Sequence, residues 1–205
     1  MNINEIYIVQ DNILKRMKTT PVKYPITRTS LSTHQMYSGT SHFFLPELYR
    51  GKLPHAIYFF MLQNEQHMGA YDNNPFSLQH YGLSEIQLSM TGFPYPSEPL
   101  RFDFAKSDVT HGYRWYLDNI GILDNDEEAS VSALQYRSGF FMIPFDLSPT
   151  LNNSDIPHQP EEGVISATLR FSQALNHTLT IVTYAIYHNL ITVDNMGEVF
   201  LDFAV

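Results

Sequence analysis

Hydrophobic and polar residues within residues 54–100 follow two different strand patterns. Residues 55–62 form a dense apolar run, which is typical of a strand covered on both faces. Residues 85–91 alternate instead: Ile86, Leu88 and Met90 share one face, and polar residues occupy the positions between them. A doubly covered strand and a half-exposed strand predict a β-sandwich. The proline-rich residues 92–99 are interpreted as an aromatic loop that closes this segment.

Strand patterns also lie on both sides of this segment. They cover residues 5–9, 24–31, 139–145, 164–171 and 178–187. A last hairpin joins residues 190–193 to 198–203 through Asp194-Asn195-Met196-Gly197, which has good turn chemistry. The pattern therefore predicts eight to ten strands and no internal linker.

Helix signals are few. The best candidate covers residues 108–119, with Thr110 as its cap and Tyr113, Tyr116 and Leu117 on one face. Asp11 or Asn12 is expected to cap a short helix of one or two turns. The prediction is an all-β protein, an antiparallel β-sandwich with one or two short helices. We expect residues 1–205 to form a single domain, with residues 1–22 as an N-terminal strand and short helix leading into it.

Composition supports a folded chain and argues against nucleic acid as its partner. Of its 205 residues, 43% are hydrophobic and 14% aromatic, whereas only 16% are charged, which is the reverse of a disordered chain. The net charge is −9, while phosphate binding needs a surplus of Lys and Arg, so we expect no direct nucleic-acid binding. The one basic cluster in the sequence is Lys15-Arg16-Met17-Lys18.

The sequence gives no signal for export or for the membrane. It has no cysteine, which fits a reducing compartment. The N-terminus lacks the basic start and apolar core of a signal peptide, and no apolar run approaches membrane-spanning length. These features fit a reducing compartment and predict no membrane partner.

Catalytic and metal-binding motifs are missing from the sequence. Its nine histidines include no His-x-His or His-Glu-x-x-His, and there is no Gly-x-Ser-x-Gly elbow or glycine-rich phosphate loop. The acidic residues 124–128 lack the ligand spacing of an EF-hand and are interpreted as a solvated loop. Ligands converging from distant strands remain an alternative. The prediction is no catalytic, cofactor-binding or metal-binding residue, and no enzyme.

Aromatic residues offer candidate contact surfaces instead. Phe93, Tyr95, Trp115 and Tyr116 are candidate interface residues, because aromatic side chains are enriched at protein interfaces. Packing over the ends of the sandwich is the alternative for each of them. Residues 71–74 (Tyr-Asp-Asn-Asn) could serve a binding module, since an aromatic ring beside amides and a carboxylate suits glycan recognition.

The order of several short motifs resembles a known family. They are Lys23-Tyr24-Pro25-Ile26-Thr27-Arg28, Leu53-Pro54-His55-Ala56-Ile57, Gly69-Ala70-Tyr71, Asn74-Pro75-Phe76, Tyr136-Arg137-Ser138-Gly139-Phe140, Phe145-Asp146-Leu147-Ser148-Pro149 and Ile191-Thr192-Val193-Asp194. In this order they resemble the C-terminal portion of the double jelly-roll major capsid proteins of Polinton/Maverick elements and adintovirus-like viruses. The resemblance extends over nearly the whole chain and implies a single eight-stranded jelly roll, which also limits exposed sheet edges.

The same resemblance implies a structural role. Proteins of that family contain two jelly rolls in one chain, and this sequence matches the second. Their partners are other capsid-type protein subunits, so the resemblance implies a homo-oligomer, with a trimer as the family's arrangement, in the virion or the host cell interior. A jelly-roll binding module derived from a capsid protein, for glycan, receptor or host-protein recognition, is the alternative, because a fold does not fix a function.

Overall fold

A computed structural model describes residues 20–104, 109–122, 129–148 and 162–202. The chain divides into two compact units, Thr29–Tyr187 and the pair of segments Met1–Arg28 and His188–Val205. The assignment of residues 1–205 to a single domain stays a prediction. The expected strand at residues 5–9, the expected N-terminal helix, the basic cluster and the acidic residues 124–128 lie outside the described residues.

The described strands form two antiparallel sheets. The strands are β1 Val22–Met36, β2 His42–Lys52, β3 Ala56–Gln63, β4 Leu83–Met90, β5 Phe93–Arg101, β6 Ile143–Asp146, β7 Glu162–Phe171, β8 Leu179–Val193 and β9 Val199–Leu201. One sheet has the order β1-β8-β3-β6, with β9 paired to β8, and the other has the order β2-β7-β4-β5. The pairs β1/β8, β2/β7, β3/β6 and β4/β5 are adjacent, as when one long antiparallel ribbon is wound into two sheets. This is a jelly roll, and the predicted fold class is confirmed.

Alternating residues of the four-stranded sheet face the core of the larger unit. In β7, Ile165, Ala167 and Leu169 are buried, while the residues between them are partly exposed. In β4, Ile86 and Leu88 are fully buried opposite them. Both patterns confirm the predicted alternation, because successive side chains of a strand point to opposite faces.

The five-stranded sheet is covered on both faces where β3 and β8 pair. The two strands pair from Ala56 opposite Ile186 to Gln63 opposite Leu179. Ile57 and Ile181 are buried in the core, and Leu62 and Val182, on the opposite face, are buried as well. Every residue of β3 is at least partly buried, which confirms the prediction made from its apolar run.

An aromatic cluster holds together two of the three described helices of the larger unit. The described helices are α1 Asn64–Met68, α2 Thr110–Asn119 and α3 Ala133–Arg137. Tyr136 of α3 lies 5.2 Å from the ring of Tyr116 on α2 and 5.2 Å from that of Phe141. Phe141 also packs edge-on against Phe102, with ring centroids 5.4 Å apart. Edge-to-face contacts of this kind add to the free energy gained from burying the rings.

The smaller unit contains the predicted C-terminal hairpin. The end of β8 pairs with β9, from Ile191 opposite Leu201 to Val193 opposite Val199. Asp194 Oδ1 accepts hydrogen bonds from the backbone N–H groups of Met196 and Glu198, both at 2.8 Å. Gly197 takes a φ of +83°, a conformation that glycine adopts without steric cost. The hairpin prediction is confirmed, with β9 shorter than expected.

Three local expectations were wrong. Of the proline-rich residues 92–99, all but Gly92 lie within the strand β5 rather than in a loop. The strand expected at residues 139–145 begins only at Ile143, because residues 139–142 connect α3 to β6. The cap of α2 is Val109 and not Thr110, and it makes no side-chain capping bond. The short helices α1 and α3 were not predicted, although each carries a capping box closed by a glutamine.

We expect Gly112→Ala to destabilise the protein by about 1–3 kcal/mol, because overpacking a filled core forces its neighbours to move. A β-carbon at this position would lie 2.3 Å from Cε1 of Phe102. Helix propensity alone predicts the opposite sign, a gain of about 1 kcal/mol. Urea unfolding followed by circular dichroism measures the difference. Arg114→Ala, at an exposed position of the same helix, is the control, and a stabilised Gly112→Ala protein would contradict the packing described.

Candidate functional site

Two of the predicted interface residues lie next to each other on one surface of the larger unit. Tyr95 comes from β5 and Trp115 from α2, and both are half-buried. Their rings flank the same core residue: Phe145 of β6 lies 6.5 Å from Tyr95 and 5.7 Å from Trp115, measured between ring centroids. The fold therefore brings together aromatic residues that are far apart in the sequence.

The polar ends of these side chains bind the backbone of the edge strand β6. Trp115 Nε1 donates to the carbonyl oxygen of Pro144 at 2.7 Å, and the Tyr95 hydroxyl donates to that of Asp146. Asn119 Oδ1 accepts from the N–H of Asp146 at 2.9 Å. Among the described strands β6 pairs with β3 alone, so these side chains replace a neighbouring strand on its other side.

A bulge in β5 forms the outer wall of this surface. The pairing with β4 shifts between Leu100, opposite Ile86, and Tyr95, opposite Leu88. Residues 96–99 lie opposite the single residue Gln87, so β5 has three extra residues here, and the two prolines among residues 96–99 cannot donate to a strand ladder. Gln87 Nε2 donates to the Pro96 carbonyl at 3.3 Å, which holds the bulge against β4.

A cavity of about 240 Å³ lies between the bulge, the helix α2 and β6. It is lined by Tyr95, Pro96, Ser97, Trp115, Asp118, Asn119 and Asp146. Two of these residues are acidic and none is basic. Burial raises the pKa of Tyr95 to about 12, and the carboxylates of Asp146 and Asp118 add to this shift by opposing a second negative charge. The cavity thus combines aromatic walls with negative potential.

The other two predicted interface residues lie elsewhere. Phe93 is 77% exposed at the start of β5, beside the turn residues Thr91 and Gly92, whose φ angles are both positive. It lies on the same face of β5 as Tyr95 by strand alternation. Tyr116 is only 8% exposed and packs against the aromatic cluster of the core. Its ring packs in the interior of this unit. The interface role of all four residues, Phe93, Tyr95, Trp115 and Tyr116, stays a prediction.

Sequence reasoning did not select the acidic residues of the cavity. Asp118 and Asn119 stand at the end of α2, and Asp146 ends β6. No local motif connects these positions, so only the fold relates them. The one available signal was the Phe145-Asp146-Leu147-Ser148-Pro149 piece, in which a carboxylate follows a buried strand.

A second exposed aromatic surface follows α1. Tyr71 is fully exposed, and Phe76 is 80% exposed. Asn74 Oδ1 accepts a hydrogen bond from the N–H of Phe76 at 2.9 Å, which orders the loop that carries both exposed rings. This is the segment that the sequence suggested for glycan recognition, and its aromatic ring is available to a ligand.

His80 of the larger unit has a structural role. His80 stacks on Phe104 with ring centroids 3.7 Å apart, and its Nδ1 accepts from the N–H of Gly82 at 2.9 Å. Burial lowers the pKa of His80, so the neutral ring is favoured. Among the residues that the structure describes, no three His, Asp or Glu side chains are placed to share a metal ion. In the same residues, no helix has the length and apolar character needed to span a membrane.

Comparison with known proteins shows a shared fold at low sequence identity. No family model matches the sequence. An uncharacterised protein of Caenorhabditis elegans is 21% identical over 184 residues, which cover 88% of this chain and 44% of that protein.

Two of the solved structures with a similar fold come from viruses. A chain in the 3.5 Å cryo-EM structure of the Sputnik virophage is 12% identical with a TM-score of 0.50, covering 90% of this chain and 40% of that one. A chain in a quasi-atomic model of the PBCV-1 virus capsid is 10% identical with a TM-score of 0.51, covering 96% and 55%. This chain thus spans about half the length of its relatives, and the likeness establishes the fold: a jelly roll of the kind found in viral capsids.

We expect Tyr95→Phe to destabilise the protein by about 0.5–1.5 kcal/mol, because it removes one hydrogen bond to the edge strand while keeping the ring. Tyr71→Phe is the matched control, since the same hydroxyl is removed from a fully exposed ring. Urea unfolding of both variants measures the difference. Equal stabilities of the two variants would show that the bond to Asp146 contributes nothing.

The stability advantage of the parent protein over Tyr95→Phe should shrink in alkali. The neutral phenol is favoured in the folded state, so its contribution is complete below the unfolded pKa of about 10 and is lost as pH rises toward 12. Phenylalanine has no proton to lose. The measurement is the unfolding midpoint of both proteins from neutral pH to pH 12, and a constant difference would contradict the raised pKa.

Proposed function

We propose that this chain is a structural protein of capsid type, which packs against other capsid-type protein subunits. The observation that carries the proposal is the strand order, β1-β8-β3-β6 over β2-β7-β4-β5, in a fold shared with chains of the Sputnik virophage and of the PBCV-1 capsid. Because a fold alone does not fix a function, the proposal also depends on the surfaces of this chain.

The assignment to a particular family of capsid proteins rests on the sequence motifs. Their order resembles the second jelly roll of Polinton/Maverick major capsid proteins, a family that forms trimers and has no catalytic site in this domain. The chain matches 40% and 55% of the two viral chains, so each of them has room for a further domain of similar size. We therefore assign the chain a homo-oligomeric, non-enzymatic role in the virion or the host cell interior.

Exposed aromatic side chains supply the surface for such packing. Phe93 is 77% exposed at the hairpin tip. It shares a face of β5 with the half-buried Tyr95, which lines the cavity together with Trp115. Burying one Phe side chain against a partner is worth about 1.5–3 kcal/mol. Large aromatic residues at the centre of an interface often contribute most of its binding energy. Phe93 is the best single residue on which to test association.

We expect the purified chain to self-associate, and Phe93→Ser to weaken this association at least about tenfold, since the buried apolar area is lost. Sedimentation velocity over a wide concentration range measures the dissociation constant. Phe76→Ser is the matched control, because Phe76 is 80% exposed on a different loop. A parent protein that stays strictly monomeric at high concentration, or an equal effect of the two substitutions, would refute the proposed interface.

A jelly-roll binding module is the second candidate function. The observation that favours it is the fully exposed ring of Tyr71, which is followed by Asp72 and Asn73 and lies apart from the cavity at Trp115. A glycan array probed with the purified chain, with Tyr71→Ala as the control, tests this alternative. Failure to bind any glycan would remove the lectin version of it.

A further inference from the structure

Two acidic residues line the cavity between β5, α2 and β6. Asp118 is exposed at its rim, and Asp146 is only 5% exposed at its base. Neither forms an ion pair with a Lys or Arg in the part of the chain that the structure describes. Arg114 stands four residues before Asp118 on α2 and is exposed, but it is not paired with it.

Asp146 is a buried carboxylate with few hydrogen-bond partners among the described residues. Within the described residues, its Oδ1 accepts one hydrogen bond, from the N–H of Ser148 at 2.8 Å. The hydroxyl of Ser148 is itself buried and makes no hydrogen bond within the described residues. A buried carboxylate without a counter-ion costs free energy, whereas one paired with a cation and hydrogen-bonded does not carry that full cost. The base of the cavity is therefore suited to a positive group.

The walls of the cavity favour the same kind of ligand. Trp115 and Tyr95 turn their polar ends to β6, which leaves their ring surfaces to form the walls. A cation over a Trp or Tyr ring is attracted by its negative face, and a guanidinium group also pairs with carboxylates through two parallel N–H donors. An arginine can use both features at once, because its planar group stacks and donates in the same plane.

The size of the cavity argues for a side chain rather than a separate small molecule. Its volume of about 240 Å³ lies below the range of about 300–1,000 Å³ that is typical of sites for drug-sized ligands. One long side chain entering from the surface would reach Asp146 while passing Asp118.

We infer that this cavity receives an arginine side chain of a neighbouring protein subunit. The arginine stacks on Trp115, pairs with Asp146 at the base and with Asp118 at the rim. The inference rests on the proposed function for the nature of the partner, and it assigns the cavity as a contact point of that association. The cation chemistry itself depends only on the residues of the cavity.

Trp115 is the only tryptophan of the chain, so its fluorescence reports directly on the cavity. The probe is arginine with both ends capped, titrated to high millimolar concentration at low salt. The matched neutral probe is capped citrulline, which has nearly the same shape without the charge. We expect a saturable change with capped arginine and none with capped citrulline. An unsaturable change, or an equal response to both probes, would overturn the inference.

Variants of the carboxylates locate the binding site. Asp118→Asn should weaken the binding of capped arginine about threefold, as for an exposed ion pair. Asp146→Asn keeps the oxygen that accepts from Ser148 and should weaken binding about tenfold or more, because this charge is desolvated. Glu98→Gln is the control, since Glu98 lies on the same bulge outside the cavity lining. A loss in Glu98→Gln as large as in Asp118→Asn would refute the assignment.

Sedimentation of the same variants separates this inference from the proposed function. If the parent chain associates and Asp118→Asn leaves its dissociation constant unchanged, the arginine contact is wrong while the structural role stands. If capped arginine binds as expected but the chain never associates, the cavity chemistry stands, and both the proposed role and the assignment of the arginine to a subunit fail.

Discussion

The edge of β6 is the constraint on which the site depends. A four-residue strand at the end of a sheet presents unpaired N–H and carbonyl groups, and such an edge either recruits another strand or has to be covered. Here Trp115, Asn119 and Tyr95 bind the backbone of Pro144 and Asp146. These bonds attach both α2 and the β5 hairpin to the same short strand. The edge is thereby closed to strand addition, so contacts made on this side of the molecule must use side chains.

Closing the edge also creates the cavity. The Trp and Tyr side chains can reach the β6 backbone only with their polar ends directed inward, which leaves their rings along the walls. The bulge at residues 96–99, which Gln87 ties to β4, adds the outer wall. Asp146 contributes its backbone to the edge bonds and also lines the cavity. Structural support and a potential binding surface thus arise from the same few residues.

Strand patterns were predictable from the sequence because they are local. The alternation in residues 85–91 and 164–171 and the apolar run in residues 55–62 directly reflect which faces are buried. The strand β5 was not predictable in this way, since its prolines argue against a regular strand and the bulge accommodates them only in three dimensions. Trp115 and Tyr116 are neighbours in sequence, yet one lines the cavity and the other is buried, because a helix turns successive side chains by about 100°.

The cavity could not be predicted from the sequence, because its residues come together only in the tertiary structure. Asp118 and Asp146 lie on different elements, and no periodicity connects them. Two of the interface residues that were predicted from their aromatic character, Tyr95 and Trp115, line the cavity. The two acidic residues that give the cavity its negative charge could be recognised only from the fold. The long-range pairings of a jelly roll make this a general feature: sites form where strands distant in sequence meet.

Charge connects this cavity to the problem of self-association. A chain with a net charge of −9 repels its own copies, so a contact between them needs apolar burial or a favourable use of its few cations. An arginine that enters an acidic aromatic cavity provides both, since its stem covers apolar surface and its guanidinium meets two carboxylates. Salt would then affect two interactions that oppose each other in association. Screening reduces the general repulsion between copies, while the desolvated pair at Asp146 is affected less than exposed charges are. Association through this cavity is therefore compatible with physiological salt, because the interaction that specifies the contact is the one best protected from screening.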